Sequence, residues 1–500
     1  MQPVSPAGRN PTETVIHMPG TEHFDVLIVG AGLSGIGAAV HLQQQSPTRT
    51  FAILEGRENL GGTWDLFRYP GIRSDSDMYT LGYGFKPWTE EKSIASGASI
   101  LDYLWDAVSE HDLKRHIRFG QQVTRAEWSS DTDTWTVSVE HLGEVLTVTC
   151  SFLFMCSGYY SYREGFTPVF PGRKRFQGEV VHPQQWPSDL DYTDKRVVVI
   201  GSGATAVTLI PNLADEAAKV TMLQRSPSYV AIDTDVDEVA LRLRKFFGPK
   251  LAYRLIRARN TMRQQRMYAS AQSDPERFKV GLFDAVREVV GQEYLDKHFT
   301  PTYQPWDQRL CLVPNGDMFK AIAAGKADVA TGQIETFTER GIKLTSGEEL
   351  PADVIVTATG LQLVTLGEVD FVVDGEPVDF SKRWTYKGLA YSGVPNLASV
   401  FGYVNTSWTV RAELVARFVC RLLNHMESSG KTRVTPALRP EDENMPQGPY
   451  VEGFSSGYFQ RANGVLPMQG DHAPWVNPQN HKATKRLLTS AIDDGVLVFE

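Results

Sequence analysis

Gly30-Ala31-Gly32-Leu33-Ser34-Gly35 and Gly201-Ser202-Gly203-Ala204-Thr205-Ala206 constrain this chain more than any other segments. Each follows an apolar, β-branched run: Asp25-Val26-Leu27-Ile28-Val29 before the first and Val197-Val198-Val199-Ile200 before the second. Each then enters an apolar helical pattern, so both stand in the strand–turn–helix context that a dinucleotide fingerprint requires. The first glycine permits a tight turn, the second lets backbone approach a pyrophosphate, and the third position lets helix and strand pack closely. The pyrophosphate then rests on the positive end of the helix. Two such motifs predict an α/β fold with two Rossmann-like dinucleotide-binding domains and redox traffic between two nucleotides.

The 500 residues, 42% of them hydrophobic, can bury two or more cores, and two to three domains are expected. A net charge of −9 disfavours nonspecific binding to nucleic acid. Cys150, Cys156, Cys311 and Cys420 form no CxxC pair and no metal spacing. They read as reduced thiols of a cytoplasmic protein. A two-nucleotide disulfide reductase is excluded on the same ground, because it needs a cysteine pair beside the flavin. Residues 1–23 are polar, lack the apolar core of a signal peptide, and read as a flexible extension. No apolar run approaches the length of a membrane span.

The first unit is expected over residues 24–168, with a helix over about 33–45 and a second strand at Phe51-Ala52-Ile53-Leu54. Glu55 ends that strand where a carboxylate accepts hydrogen bonds from a ribose diol. Segments 122–128, 134–140 and 145–154 alternate as antiparallel strands do. A second unit over 169–350 opens with the other fingerprint. Its next strand ends in Arg225-Ser226 with no acid at the diol position. A guanidinium and a hydroxyl suit a 2′-phosphate, so NADPH is assigned to this site and FAD to the first.

Residues 235–300 interrupt the βαβ rhythm as a helical insertion rich in arginine, from Arg242 to Arg266. It reads either as a solvated basic face or as a patch that contacts anionic lipid peripherally or guides NADPH. Residues 351–500 return to the first domain, with one helical stripe from Val410 to Leu423 stopped by Ser428-Ser429-Gly430, then a Pro- and Gly-rich tail over the surface. Asn405, Trp408 and Trp475 are candidates to line a pocket, with plain packing as the competing reading. Oligomeric state is not encoded in any pattern seen.

Phe176-Gln177-Gly178-Glu179-Val180-Val181-His182-Pro183-Gln184-Gln185-Trp186-Pro187 fills every fixed position of an FxGxxxHxxxWP motif. Lying between two Rossmann fingerprints, it resembles the type I Baeyer–Villiger monooxygenases. Gly61-Gly62-Thr63-Trp64-Asp65, the stretch Arg68 to Asp75, and Trp306-Asp-Gln-Arg-Leu-Cys-Leu-Val-Pro314 are similar to that family as well. The resemblance implies an FAD- and NADPH-dependent enzyme that uses O2 and a flavin C4a-peroxide. Its reaction would convert ketones to esters or lactones and oxidise sulfides or thioamides. A heteroatom monooxygenase without ketone oxidation is the alternative.

The same resemblance implies Arg309 as the arginine that stabilises the oxygenating flavin and Asp75 as the acid that holds it. It places Ser34, Glu55, Thr63, Trp64, Asp65, Leu66, Asp75 and Val123 at FAD, where the first fingerprint already puts Gly30, Gly32 and Gly35. It places Arg73, Ser74, Gly201, Ser202, Gly203, Ala204, Thr205, Ala206, Val207, Thr208, Arg225 and Ser226 at NADPH. Many members carry Lys before the catalytic arginine, whereas this chain has Gln308, one positive charge fewer beside the nicotinamide. His182 is implied to position the two domains rather than to act as a base.

Overall fold

The computed structural model describes residues 21–500. Strand β1 (Glu22–Val29) leads into helix α1 (Leu33–Gln45), and β2 (Phe51–Leu54) and β3 (Glu144–Met155) lie parallel to β1 on either side. Val26 to Val29 are buried, as a central parallel strand covered on both faces demands, and this is why the run lacks polar alternation. Val29 pairs with Leu54 and with Met155. The three carboxyl ends therefore finish level and deliver Gly30, Glu55 and Cys156 to one edge.

The alternating segments form an antiparallel meander, Gln122–Ser129, Thr134–His141 and β3, as their pattern predicted. Its inward side chains, among them Trp128, Trp135, Val137 and Val139, close a core with Phe371 and Tyr391 from the returning chain. Of the extension expected over 1–23, residues 1–20 lie outside the described residues. Glu22 and His23 are already strand, opposite Val148 and Thr149.

The second unit begins with β4 (Arg196–Ile200), helix α2 (Ala204–Leu213) and β5 (Lys219–Gln224). The helical insertion follows as α3 (Glu238–Phe246), α4 (Pro249–Ser273) and two further helices, Pro275–Val290 and Gln292–His298. Strand β6 (Val354–Thr357) completes a parallel sheet in the order Ala327–Thr331, β5, β4, β6, Glu179–Val181. A boundary at 350 is thus too early. Val354-Ile355-Val356 is buried beside β4, and the chain rejoins the first sheet only at Asp370–Val373, beside Gln122–Ser129.

Helix α5 (Trp408–Ser429) packs on α1 and stops at Gly430, whose left-handed backbone caps it as the Ser-Ser-Gly signal predicts. The tail differs from expectation. Trp475 is fully buried, Tyr450 and Phe459 sit in the core of the second unit, and Leu497–Phe499 pairs with Val434–Pro436. Its apolar residues are too widely spaced to register as a period, yet they plug gaps between layers. Among the described residues no helix is long and apolar enough to cross a membrane.

Candidate active site

One cavity of about 1390 Å³ runs between the carboxyl edges of the two parallel sheets. Pockets for one small molecule hold roughly 300–1,000 Å³. At its two ends stand the N-termini of α1 and α2, capped by Gly32 and Gly203 with no side-chain hydrogen bond at either. Leu33 and Ser34 at one helix, and Ala204 and Thr205 at the other, line the wall. Two helices of ten or more residues thus present unsatisfied N–H groups to a single space, the arrangement that holds a pyrophosphate.

Both turns need glycine for the same reason. Gly30 has φ +102, and a Cβ there would lie 2.7 Å from the Cys156 carbonyl oxygen. Gly201 has φ +135, and its Cβ would lie 2.3 Å from the oxygen of Ala358. In each case the turn presses against the end of a neighbouring parallel strand. Gly35 lies against Gly30 and Ala206 is buried under α2, so the third position of each fingerprint packs helix on strand and neither lines the cavity.

Glu55 stands at the carboxyl end of β2, on the wall of this cavity. Its carboxylate is buried and accepts the Ala31 N–H at 2.7 Å and the Arg57 N–H at 3.0 Å. Burial raises its pKa above the ordinary carboxyl value, and the two backbone donors only partly oppose this. Each oxygen keeps a lone pair for a hydroxyl from the cavity. Thr63, Trp64 and Val123 line the same end. These residues fit a flavin dinucleotide.

Asp65 and Leu66 do not reach the wall. Asp65 is buried under Arg57 at 2.7 Å and Arg68 at 2.6 Å, and Leu66 packs into the second core. Their part is to shape the turn that carries Thr63 and Trp64. The Ser34 hydroxyl lines the cavity and accepts the Trp408 indole N–H at 2.9 Å.

At the other end Arg225 and Ser226 are exposed at the cavity rim, and Arg225 has no hydrogen bond or ion pair among the described residues. Ser202, Gly203 and Thr208 join them on the wall, while Val207 faces the core. Arg73 lines the cavity with its guanidinium already paired to Asp317 at 2.5 Å. Ser74 is buried and exchanges hydrogen bonds with Ala95. Of these two arginines, only Arg225 has a guanidinium without a partner among the described residues.

Between the two ends, Arg309 and Asp75 meet. The Arg309 Nε and Nη2 both donate to Asp75 Oδ2, at 2.9 and 2.7 Å, and each side chain is about one-third exposed to the cavity. The carboxylate holds the guanidinium's pKa far above its ordinary value, outweighing the effect of burial. Gln308 lies beside it on the wall.

An aromatic wall, not visible as a sequence motif, faces this pair. Tyr159 stacks on Trp408 with ring centroids 4.9 Å apart and meets Phe401 edge-on at 5.7 Å, while Tyr458 and Phe459 arrive from the tail. Trp408 is thus a lining residue. Asn405 instead binds the Gln479 carbonyl, and Trp475 packs against Tyr386, both away from the cavity. The Pro- and Gly-rich composition around Tyr458 gave no periodic signal that could have placed it.

His182 also lies off the cavity wall. It follows the edge strand Glu179–Val181, its Nδ1 accepts the Gln184 N–H at 3.1 Å, and burial lowers its pKa. Gln184 in turn donates to the Ser161 carbonyl at 2.8 Å, in the segment that joins the two units.

Residues 28–90 match the NAD(P)-binding Rossmann-like domain and residues 90–239 the flavin-binding monooxygenase-like family. The chain is 50% identical to the FAD-containing monooxygenase EthA of Mycobacterium tuberculosis, over 96% of this chain and 98% of that one. It is 47% identical to a probable FAD-binding monooxygenase, AlmA, of Acinetobacter baylyi, over 96% of each. Among solved structures, an oxidized steroid monooxygenase bound to NADP superimposes with a TM-score of 0.77 at 24% identity, covering 95% of this chain and 99% of that one. An open form of cyclohexanone monooxygenase gives 0.76 at 21% identity, covering 96% and 100%. With full-length relatives at half identity, this chain belongs to the FAD-containing monooxygenases.

Proposed function

We propose that the chain is an NADPH- and O2-dependent monooxygenase that converts ketones to esters or lactones and also oxidises sulfides. The observation that carries this reading is the Arg309–Asp75 pair, set in the wall of one cavity between two uncapped helix N-termini. The bound flavin supplies hydride acceptance and oxygen activation. Gly30, Glu55, Thr63 and Val123 would hold it, and Gly201, Ser202, Arg225 and Ser226 would hold NADPH.

Arg309 contributes a permanent positive charge that needs no proton from solvent. A carbonyl oxygen gains negative charge when its carbon is attacked, and a guanidinium fixed nearby stabilises that charge without reorganising. Asp75 restrains Arg309 by accepting through two of its nitrogens, which leaves Nη1 directed at other partners. Tyr159, Phe401 and Trp408 present ring faces and edges rather than water to the reacting volume.

The test is a panel of cyclic, aromatic and long-chain ketones with thioethers, scored by product mass and by hydrogen peroxide release. One ester formed per NADPH consumed, with little peroxide, is the expected result. Sulfoxides from thioethers with no ester from any ketone would replace this reading with that of a heteroatom monooxygenase.

Nucleotide choice rests on Arg225. Arg225→Ala should raise the KM for NADPH by roughly tenfold or more, as loss of a charge-assisted phosphate contact does, and leave the KM for NADH almost unchanged. Steady-state kinetics with both nucleotides decides it, and equal effects would move the 2′-phosphate contact elsewhere.

A further inference from the structure

We propose that the hairpin of α3 and α4 is a docking surface for anionic lipid bilayers. Helices α3 and α4 carry nine cationic side chains and one carboxylate, Glu238 at the first residue of α3, in a chain whose net charge is −9. Four of the nine are engaged by partners within the protein. Arg257 donates to the carbonyls of Tyr79, Thr80 and Gly82 and pairs with Glu413, Arg244 binds the carbonyls of Thr89 and Glu90, and Arg259 and Arg263 pair with Asp237 and Asp233. The remaining five, Arg242, Lys245, Lys250, Arg254 and Arg266, are exposed and have no hydrogen bond or ion pair among the described residues.

Apolar side chains stand among these free cations. Phe246 is 83% exposed and Phe247 40% at the turn between the helices. Leu251, Leu255 and Met262 are 49, 42 and 50% exposed and continue the patch along one face of α4, at the spacing of a helical stripe. Lys245 through Leu251 form an unbroken exposed run. A polyanion would use the charges and leave the phenylalanines in water. A bilayer with anionic headgroups uses both, since the cations meet the phosphates while the rings and leucines enter the acyl boundary.

The opposite face of α4 points to the cavity. Arg257, on that face, donates to the Tyr79, Thr80 and Gly82 carbonyls of the short helical turn that carries Leu81, a lining residue. A bilayer on the outer face would therefore lie about one helix diameter, ~10 Å, from the cavity wall. The proposal does not depend on the choice between ketone and sulfide.

Flotation of the flavin-loaded protein with vesicles tests it, using phosphatidylcholine alone and phosphatidylcholine mixed with phosphatidylglycerol. Binding should require phosphatidylglycerol, weaken in high salt, and fall roughly fivefold for each cation removed, so K245A/K250A binds at least tenfold more weakly. F246S/F247S should weaken binding as much while keeping its flavin and its Tm. Absence of binding, equal binding to neutral vesicles, or wild-type binding by both variants would overturn the proposal. So would a dimer, seen by sedimentation without lipid, that F246S/F247S abolishes, because the patch would then be covered by a second copy of the chain.

Discussion

Arg309→Ala should leave flavin bound and NADPH oxidation running, while oxygenated product falls by roughly 10²–10³-fold, the loss that follows removal of one fixed donor to a developing oxyanion. The side chain touches neither fingerprint turn. Gly30, Glu55 and the α1 N-terminus hold their places through backbone contacts that do not involve position 309. What disappears is the positive charge between the two ends of the cavity. Asp75 then faces the same space without its partner, and a bare carboxylate there repels negative charge on a reacting oxygen. Product and hydrogen peroxide counted per NADPH consumed give the readout: the ester fraction collapses and peroxide rises to match NADPH. Ester formation at the wild-type ratio would remove Arg309 from the chemistry. Arg309→Lys tests geometry separately, because an ammonium keeps the charge but cannot give Asp75 two nitrogens in one plane.

The parts of this arrangement that were legible in the sequence are those set by local backbone demands. The fingerprints could be read because a turn that packs on a neighbouring strand end admits only glycine, as Gly30 against Cys156 and Gly201 against Ala358 illustrate. Glu55 and Arg225 follow, since each is the first residue past a strand whose register the fingerprint determines. The Arg309–Asp75 pair joins residues far apart in sequence, and resemblance alone suggested it. Residues named from resemblance but absent from the wall, Asp65, Leu66, Ala206 and Val207, are buried neighbours of lining residues. Motif matching marks a segment, whereas only the fold says which face of a helical turn meets the cavity. Tyr458 and Phe459 carry no signal for the converse reason: a wall assembled from three distant segments has no period. The early boundary at 350 has a similar origin, because β6 joins a sheet whose other strands precede it by more than one excursion of chain.

Glu413→Gln should destabilise the protein by about 3–5 kcal/mol, the range for removing one partner of a buried ion pair. Glu413 is buried on α5 between Arg257 of α4 at 2.6 Å and the Gly84 N–H at 2.8 Å, with His41 of α1 at 3.7 Å. Burial by itself would raise its pKa, but Arg257, His41 and the backbone donor overcome this and hold it at about 2, against an ordinary 4.5. A carboxyl depressed in the folded state stabilises the protein fully above its unfolded pKa, and the contribution disappears as pH falls through the folded one. The wild-type advantage over the Gln variant should therefore be constant from pH 7 to about 5, then shrink progressively from pH 4.5 toward 2. Thermal melts of both proteins across this range supply the measurement. Glutamine keeps the shape and one acceptor, so a gap independent of pH would mean that packing, not charge, joins α4 to α5. Because Arg257 also holds the carbonyls of Tyr79, Thr80 and Gly82, the variant should loosen the cavity-lining helical turn at Leu81 before the Rossmann sheets melt. Amide exchange in residues 79–84 would then rise ahead of exchange in β1 and β4, whose buried backbone bonds do not depend on this pair.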